Sequence, residues 1–174
     1  MTKSSFAPLF QATSSALQAA PEAAVVTFRA QSQQKRGLRS DVKVRTFEIP
    51  VDEPPTLGGV DSAPNPVEYA LAALATCQEI TYRLHADALG IPLDNVAVTV
   101  EGDIDLRGFF GVDPSVRPGF TSIRGTVHLD SPAPVADLLR LRDHVNAHCP
   151  VLDLVSAPTP VTFELVTIAG ADAP

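Results

Sequence analysis

Cys77 and Cys149 are the residues of this chain best suited to chemistry, and they are its only cysteines. Two thiols are too few for a disulfide scaffold, and no CxxC spacing exists to hold a structural zinc. A cysteine attacks as its thiolate, and a thiolate needs positive potential beside it. Cys77 lies in ALATCQEI, inside a helical pattern and about three turns from its start, where the helix dipole has faded. Activation must therefore come from elsewhere in the fold. The plainer reading, a small buried hydrophobe, stands beside the nucleophilic one. Cys149 falls at the expected end of a later helix, where a thiolate is disfavoured. It suits a resolving role better, attacking an oxidised Cys77 sulfur.

Other polar residues are weaker candidates. Glu68 precedes Cys77 by nine residues, roughly 13 Å of helical rise and half a turn of rotation away. It cannot reach the Cys77 sulfur along its own helix, so it reads either as a capping-box carboxylate or as a group acting through an arginine or a second subunit. His144 and His148 are one helical turn apart, but no HExxH pattern joins them. Together with Cys149 they offer a remote zinc alternative; the reading adopted has no metal and no cofactor. His85 reads as part of the polar end of the central helix. GxxxxGK[ST], GxGxxG and GxSxG are all absent.

These residues need elements to position them. The strongest helix signal begins at Asn65 as N-cap, with Pro66 at the first position and Glu68 three residues after the cap. The helix is expected to run to about Leu89, stopped by Gly90. Its first half is apolar nearly all round, with Ala70, Ala73, Leu74, Cys77, Ile80 and Leu84 read as a core-facing stripe. One sheet layer cannot cover such a helix, which points to a second subunit. Strands are expected over residues 24–30, 42–51, 96–100, 121–129 and 160–168, and a second helix from Ser131 to Cys149-Pro150. The order β-β-α-β-β-α-β is α+β with antiparallel sheet. Residues 1–23 form a tail, poorly ordered or a short helix, and 24–174 one domain. Phe109 and Phe110 are expected to fold back onto something apolar.

Composition limits the alternatives. With 174 residues and a net charge of −7, the chain is an unsuitable nucleic-acid binder. The longest apolar stretch, 69–77, is too short to cross a bilayer. Without a signal-peptide pattern, a cytoplasmic location is expected.

The segment VDEPPTLGGVDSAPNPVEYALAALATC resembles the stretch leading to the first cysteine in the OsmC/Ohr family of osmotically inducible and organic hydroperoxide resistance proteins. HCPV at 148–151 resembles its second cysteine motif, and EGDIDLRGFFGVDPSVRPGF resembles an OsmC-like branch. The resemblance implies an intertwined homodimer whose central helices pack together. It also implies a thiol peroxidase that reduces organic hydroperoxides and is restored by an external dithiol. Cys77 would then be peroxidatic and Cys149 resolving. An arginine would hold the thiolate, and a carboxylate would orient the arginine. Among Arg29, Arg36, Arg39 and Arg45, Arg39 is preferred. The carboxylate falls to Glu68, although Val67 occupies the position directly after Asn-Pro. The apolar stripe suits an alkyl hydroperoxide better than hydrogen peroxide alone. A non-enzymatic dimer that binds an apolar ligand or a protein partner is the alternative.

Overall fold

The computed structural model describes residues 5–167. Its organising element is helix α2 (Pro66–Ala88), which starts where the local chemistry requires. The Asn65 side chain accepts the Glu68 amide at 2.9 Å, and the Glu68 carboxylate accepts the Asn65 amide at 2.8 Å. This reciprocal pair satisfies two amides that a helix start leaves open. At the other end Gly90 takes φ +67°, a left-handed geometry that costs glycine little.

Before α2 lie a helix α1 (Ala7–Ala19) and an antiparallel meander of β1 (Gln31–Gln34), β2 (Ser40–Val44) and β3 (Phe47–Val51). After it come β4 (Asn95–Ile104), a one-turn helix α3 (Leu106–Phe109) and β5 (Phe120–Asp130). The chain then forms α4 (Val135–Asn146) and α5 (Pro150–Ser156). β4 and β5 form a separate two-stranded antiparallel sheet, with Val96 opposite Leu129 and Val98 opposite Val127. The core lies between α2, this sheet and α4, where Tyr82, Ala86, Ile91, Leu93, Leu141 and Val145 are buried together.

Several expected elements differ. The single strand over 42–51 is two strands joined by a tight turn at Arg45-Thr46, with Val44 opposite Phe47 and Arg45 at φ +55°. Residues 24–30 and the described part of 160–168 are not strands. Val25, Phe28, Phe163 and Leu165 are almost fully exposed, because among the described residues nothing pairs with these segments. Residue 168 lies outside the described residues. The stripe assigned to the core on α2 is also open: Ala70, Ala73 and Ile80 face outward, while Leu74, Gln78, Thr81, Tyr82 and Ala86 are buried. Phe109 and Phe110 pack edge-to-face on each other, at 5.0 Å, and remain exposed. No helix among the described residues is long and apolar enough to cross a membrane.

Candidate functional site

Cys149 does not close a helix. α4 ends at Asn146, and Cys149 is the N-cap of α5, in extended geometry with Pro150 at the first helical position. Proline disfavours helix in the residue before it and fits the first position of a new one. Cys149 thus precedes the open amides of a helix start rather than following helix-end carbonyls, and its side chain makes no capping bond.

This start meets α2 at Cys77. The Cys149 thiol donates to the Cys77 sulfur at 3.3 Å, and both cysteines are free. The Val151 amide, in the first turn of α5, donates to the same Cys77 sulfur. One turn further along α2, the Thr81 hydroxyl bonds the Cys77 carbonyl at 2.7 Å and also favours the ionised sulfur. Burial outweighs these donors and pushes the Cys77 thiol above its ordinary range, with the neighbouring Cys149 adding to the rise. Among the described residues, none of the groups acting on Cys77 is a cation.

The two thiols differ in access. Cys149 is 1% exposed. Cys77 is half-buried and lines an open cleft of about 440 Å³ with Ala73, Thr76, Ile80, Leu84 and Pro150. A molecule entering this apolar cleft reaches Cys77, with Cys149 directly behind it.

Arg39 and Glu68 stand apart from the sulfur in the single chain. The Arg39 guanidinium donates to the Ser62 hydroxyl at 3.0 Å and pairs with Asp41 at 3.5 Å. Ser62 in turn donates to Asp52, through its hydroxyl at 2.8 Å and its amide at 3.0 Å. Asp52 is buried, and its bonds from Ser62, Glu53 and Val60 hold its carboxyl down to about 2. The loop leading into α2 is thus tied around Asp52, with Arg39 docked on its rim. Glu68 is engaged in the capping box.

The histidines form a cluster that sequence spacing only half revealed. His144 and His148 stack with centroids 4.2 Å apart, as one-turn neighbours can. His85, read as a polar helix end, joins them, with its Nδ1 2.9 Å from His144 Nε2. His85 and His148 also line the Cys77 cleft. Among the described residues no group of three His, Cys, Asp or Glu is arranged to hold a metal ion. The contributions of Thr81 and the Val151 amide were missed by sequence reasoning. Thr81 had a signal, four residues after Cys77 on the same helical face. The amide had one in Pro150 itself, read as a stop when it also opens a helix.

A thiol on a central helix, backed by a second thiol at the start of another helix, defines an α+β protein with a paired-cysteine site. A family model described as OsmC-like protein matches residues 59–164. An OsmC-like protein of Mycoplasma pneumoniae has the same fold at TM-score 0.64 and 19% identity, covering 75% of this chain and 87% of its own. An organic hydroperoxide resistance protein OsmC of Legionella pneumophila matches at TM-score 0.59 and 21% identity, covering 76% and 90%. One from Elizabethkingia anophelis matches at TM-score 0.57 and 20% identity, covering 76% and 89%. No curated protein sequence matches the chain. The chain belongs to the OsmC family, and its fold is the OsmC-like fold.

Proposed function

We propose that the protein is a thiol peroxidase that reduces organic hydroperoxides. The observation that carries this reading is the 3.3 Å approach of Cys149 to a Cys77 sulfur that alone faces an apolar cleft. The Cys77 thiolate attacks the terminal oxygen of ROOH. The O–O bond breaks, ROH leaves with a proton, and Cys77 becomes a sulfenic acid. The Cys149 sulfur then displaces water from it, forming a Cys77–Cys149 disulfide. An external dithiol reduces that bond by exchange and is itself oxidised. A contact of 3.3 Å needs little movement to reach the ~2.05 Å of a disulfide. Reduction by an external dithiol requires a reducing compartment, for which we propose the cytoplasm.

The missing cation supports a dimeric site. Cys77 is pushed up in the single chain, while α2 leaves Ala70, Ala73, Thr76 and Ile80 uncovered beside it. A second copy laid on that face would cover it and bring further groups to the cleft. In this reading Arg39 supplies the guanidinium that ionises Cys77, and Glu68 orients it.

The test is peroxide consumption with cumene hydroperoxide and dithiothreitol by the intact protein, Cys77→Ser and Cys149→Ser. Cys77→Ser should abolish turnover. Treated without dithiothreitol, Cys149→Ser should consume one equivalent and stop at a sulfenic acid that dimedone traps. Equal slow decay in all three would sink the reading.

A second reading, a non-enzymatic binder of an apolar ligand, is favoured by a separate cavity of about 470 Å³. It lies between α2, the β4–β5 sheet and α4, lined by Leu74, Tyr82, Val98, Val127, Leu138 and Leu152. Retention of an apolar fluorophore by Cys77→Ser, with no turnover by the intact protein, would favour this alternative.

A further inference from the structure

The imidazole cluster has a second side. Between α1 and the ends of α2 and α4 runs a groove of about 500 Å³, lined by Phe10, Ser14, Ser15, His85, His144 and His148. On one wall three imidazoles meet, with His85 4.7 Å from His144 and 5.2 Å from His148 between centroids. On the other wall α1 contributes Ser14 and Ser15, with Phe10 packed edge-on against His85 at 5.1 Å.

The charge inventory is one-sided. From Phe6 to Ala19 helix α1 has no ionisable residue. On α2, Asp87 accepts the Phe6 amide at 2.8 Å and anchors α1. On α4, Asp143 is paired with Arg142 at 2.7 Å. Among the described residues no carboxylate forms an ion pair with any of the three rings. A proton added to this cluster therefore finds no counter-charge in the groove. Burial and the adjoining imidazoles hold His85 and His144 below the ordinary histidine range, in keeping with that lack.

The hydrogen bonds fix where a proton can go. His148 Nδ1 lies 2.7 Å from the His144 carbonyl, so it carries hydrogen and leaves Nε2 as the basic atom. The His85–His144 contact joins two ring nitrogens and holds one hydrogen between them. Ser14 and Ser15 make no side-chain hydrogen bond to the described chain, unlike Thr76 and Thr81 of α2, which both bond back to carbonyls one turn earlier.

We propose that this groove is a binding site for a small anion, a carboxylate or a phosphate. The charged group would sit among His85, His144 and His148 and accept the hydroxyls of Ser14 and Ser15. Phe10 and Leu89 would pack any apolar body. Binding takes up a proton, because an imidazolium facing the anion replaces a neutral ring. The anion also bridges α1 to α2 and α4, so occupancy clamps α1 in place. The site is independent of the peroxidase reading and adjoins the thiol cleft through His85 and His148.

The experiment is calorimetric titration of the intact protein with inorganic phosphate and, separately, with hexanoate. It is run at pH 6.5 and 8 in two buffers of different ionisation enthalpy, neither containing a carboxylate or phosphate. Saturation by either probe, with proton uptake and weaker binding at pH 8, supports the proposal, and the probe preferred identifies the anion. Ser14→Ala/Ser15→Ala, on a helix that tolerates alanine, should weaken binding several-fold. His144→Asn should weaken it by about tenfold or more, the factor one charge-assisted hydrogen bond carries. Histidine side-chain NMR of the unsubstituted protein reads the same event without any variant: the ring resonances should move on titration. No saturation by either probe, binding without proton uptake, or unmoved ring resonances would overturn the proposal.

Discussion

His85 and His144 make stability depend on pH in a predictable direction. Both titrate below their ordinary range in the folded chain. Well above about pH 6.5 both folded and unfolded forms are neutral, and the pair contributes nothing to pH dependence. Below that pH the unfolded chain takes up protons that the folded chain refuses. The unfolding free energy then falls as pH falls, until the folded pKa values are reached. In an anion-poor buffer the urea midpoint should be lower at pH 5.5 than at pH 7.5. The double variant His85→Asn/His144→Asn should show a flatter dependence. At this scale the sequence was informative only along a helix. His144 and His148 are legible as one-turn neighbours, but His85 is 59 residues from His144 and meets it only through the packing of α2 against α4. The Cys77–Cys149 contact is non-local in the same way, and the family resemblance, not the spacing, paired them.

Among the elements, α2 separates two roles that share one residue. Glu68 caps the helix in this chain and is proposed to orient a catalytic arginine. Asn65→Ala removes the cap and should cost about 1 kcal/mol of stability. Glu68→Gln keeps a side chain that can complete the box but loses the charge. It should leave Tm nearly unchanged while peroxide turnover falls at least about tenfold; unchanged turnover would confine Glu68 to capping. Elements were legible where their signals are local. The N-cap, Pro66 and Gly90 of α2 lie within a few residues of the ends they define. The β2–β3 turn also had a signal, because apolar positions fall on even numbers through Val42 and Val44 and on odd numbers through Phe47, Ile49 and Val51. α5 was missed because a proline at its start was read as the end of α4.

For the whole molecule, the exposed apolar surface is the main finding. Val25, Phe28, Phe163 and Leu165 flank the fold in extended segments with strand-like sequence. Ile80, 59% exposed, lies on the open face of α2 beside the cleft. In the proposed dimer a second copy would cover these residues, since exposed apolar side chains are what an interface leaves on the single chain. Their sequences read as strands because the pattern records burial, and burial supplied by another chain leaves the same pattern. Sedimentation should give a dimer. Ile80→Asp should shift it toward monomer and lower peroxide turnover in parallel. A variant that stays dimeric would remove that face from the interface.

The 3.3 Å gap between the sulfurs has a consequence for the folding equilibrium itself. The cysteines are 72 residues apart, so a bond between them would close a loop over much of the chain. Restricting the unfolded chain by such a loop contributes about 4 kcal/mol to stability in the chain-entropy account. The oxidised protein should therefore melt several degrees above the reduced one, and Cys149→Ser should show no such difference between peroxide-treated and untreated samples. Measured this way, the melting temperature becomes a gauge of the fraction of molecules awaiting reduction.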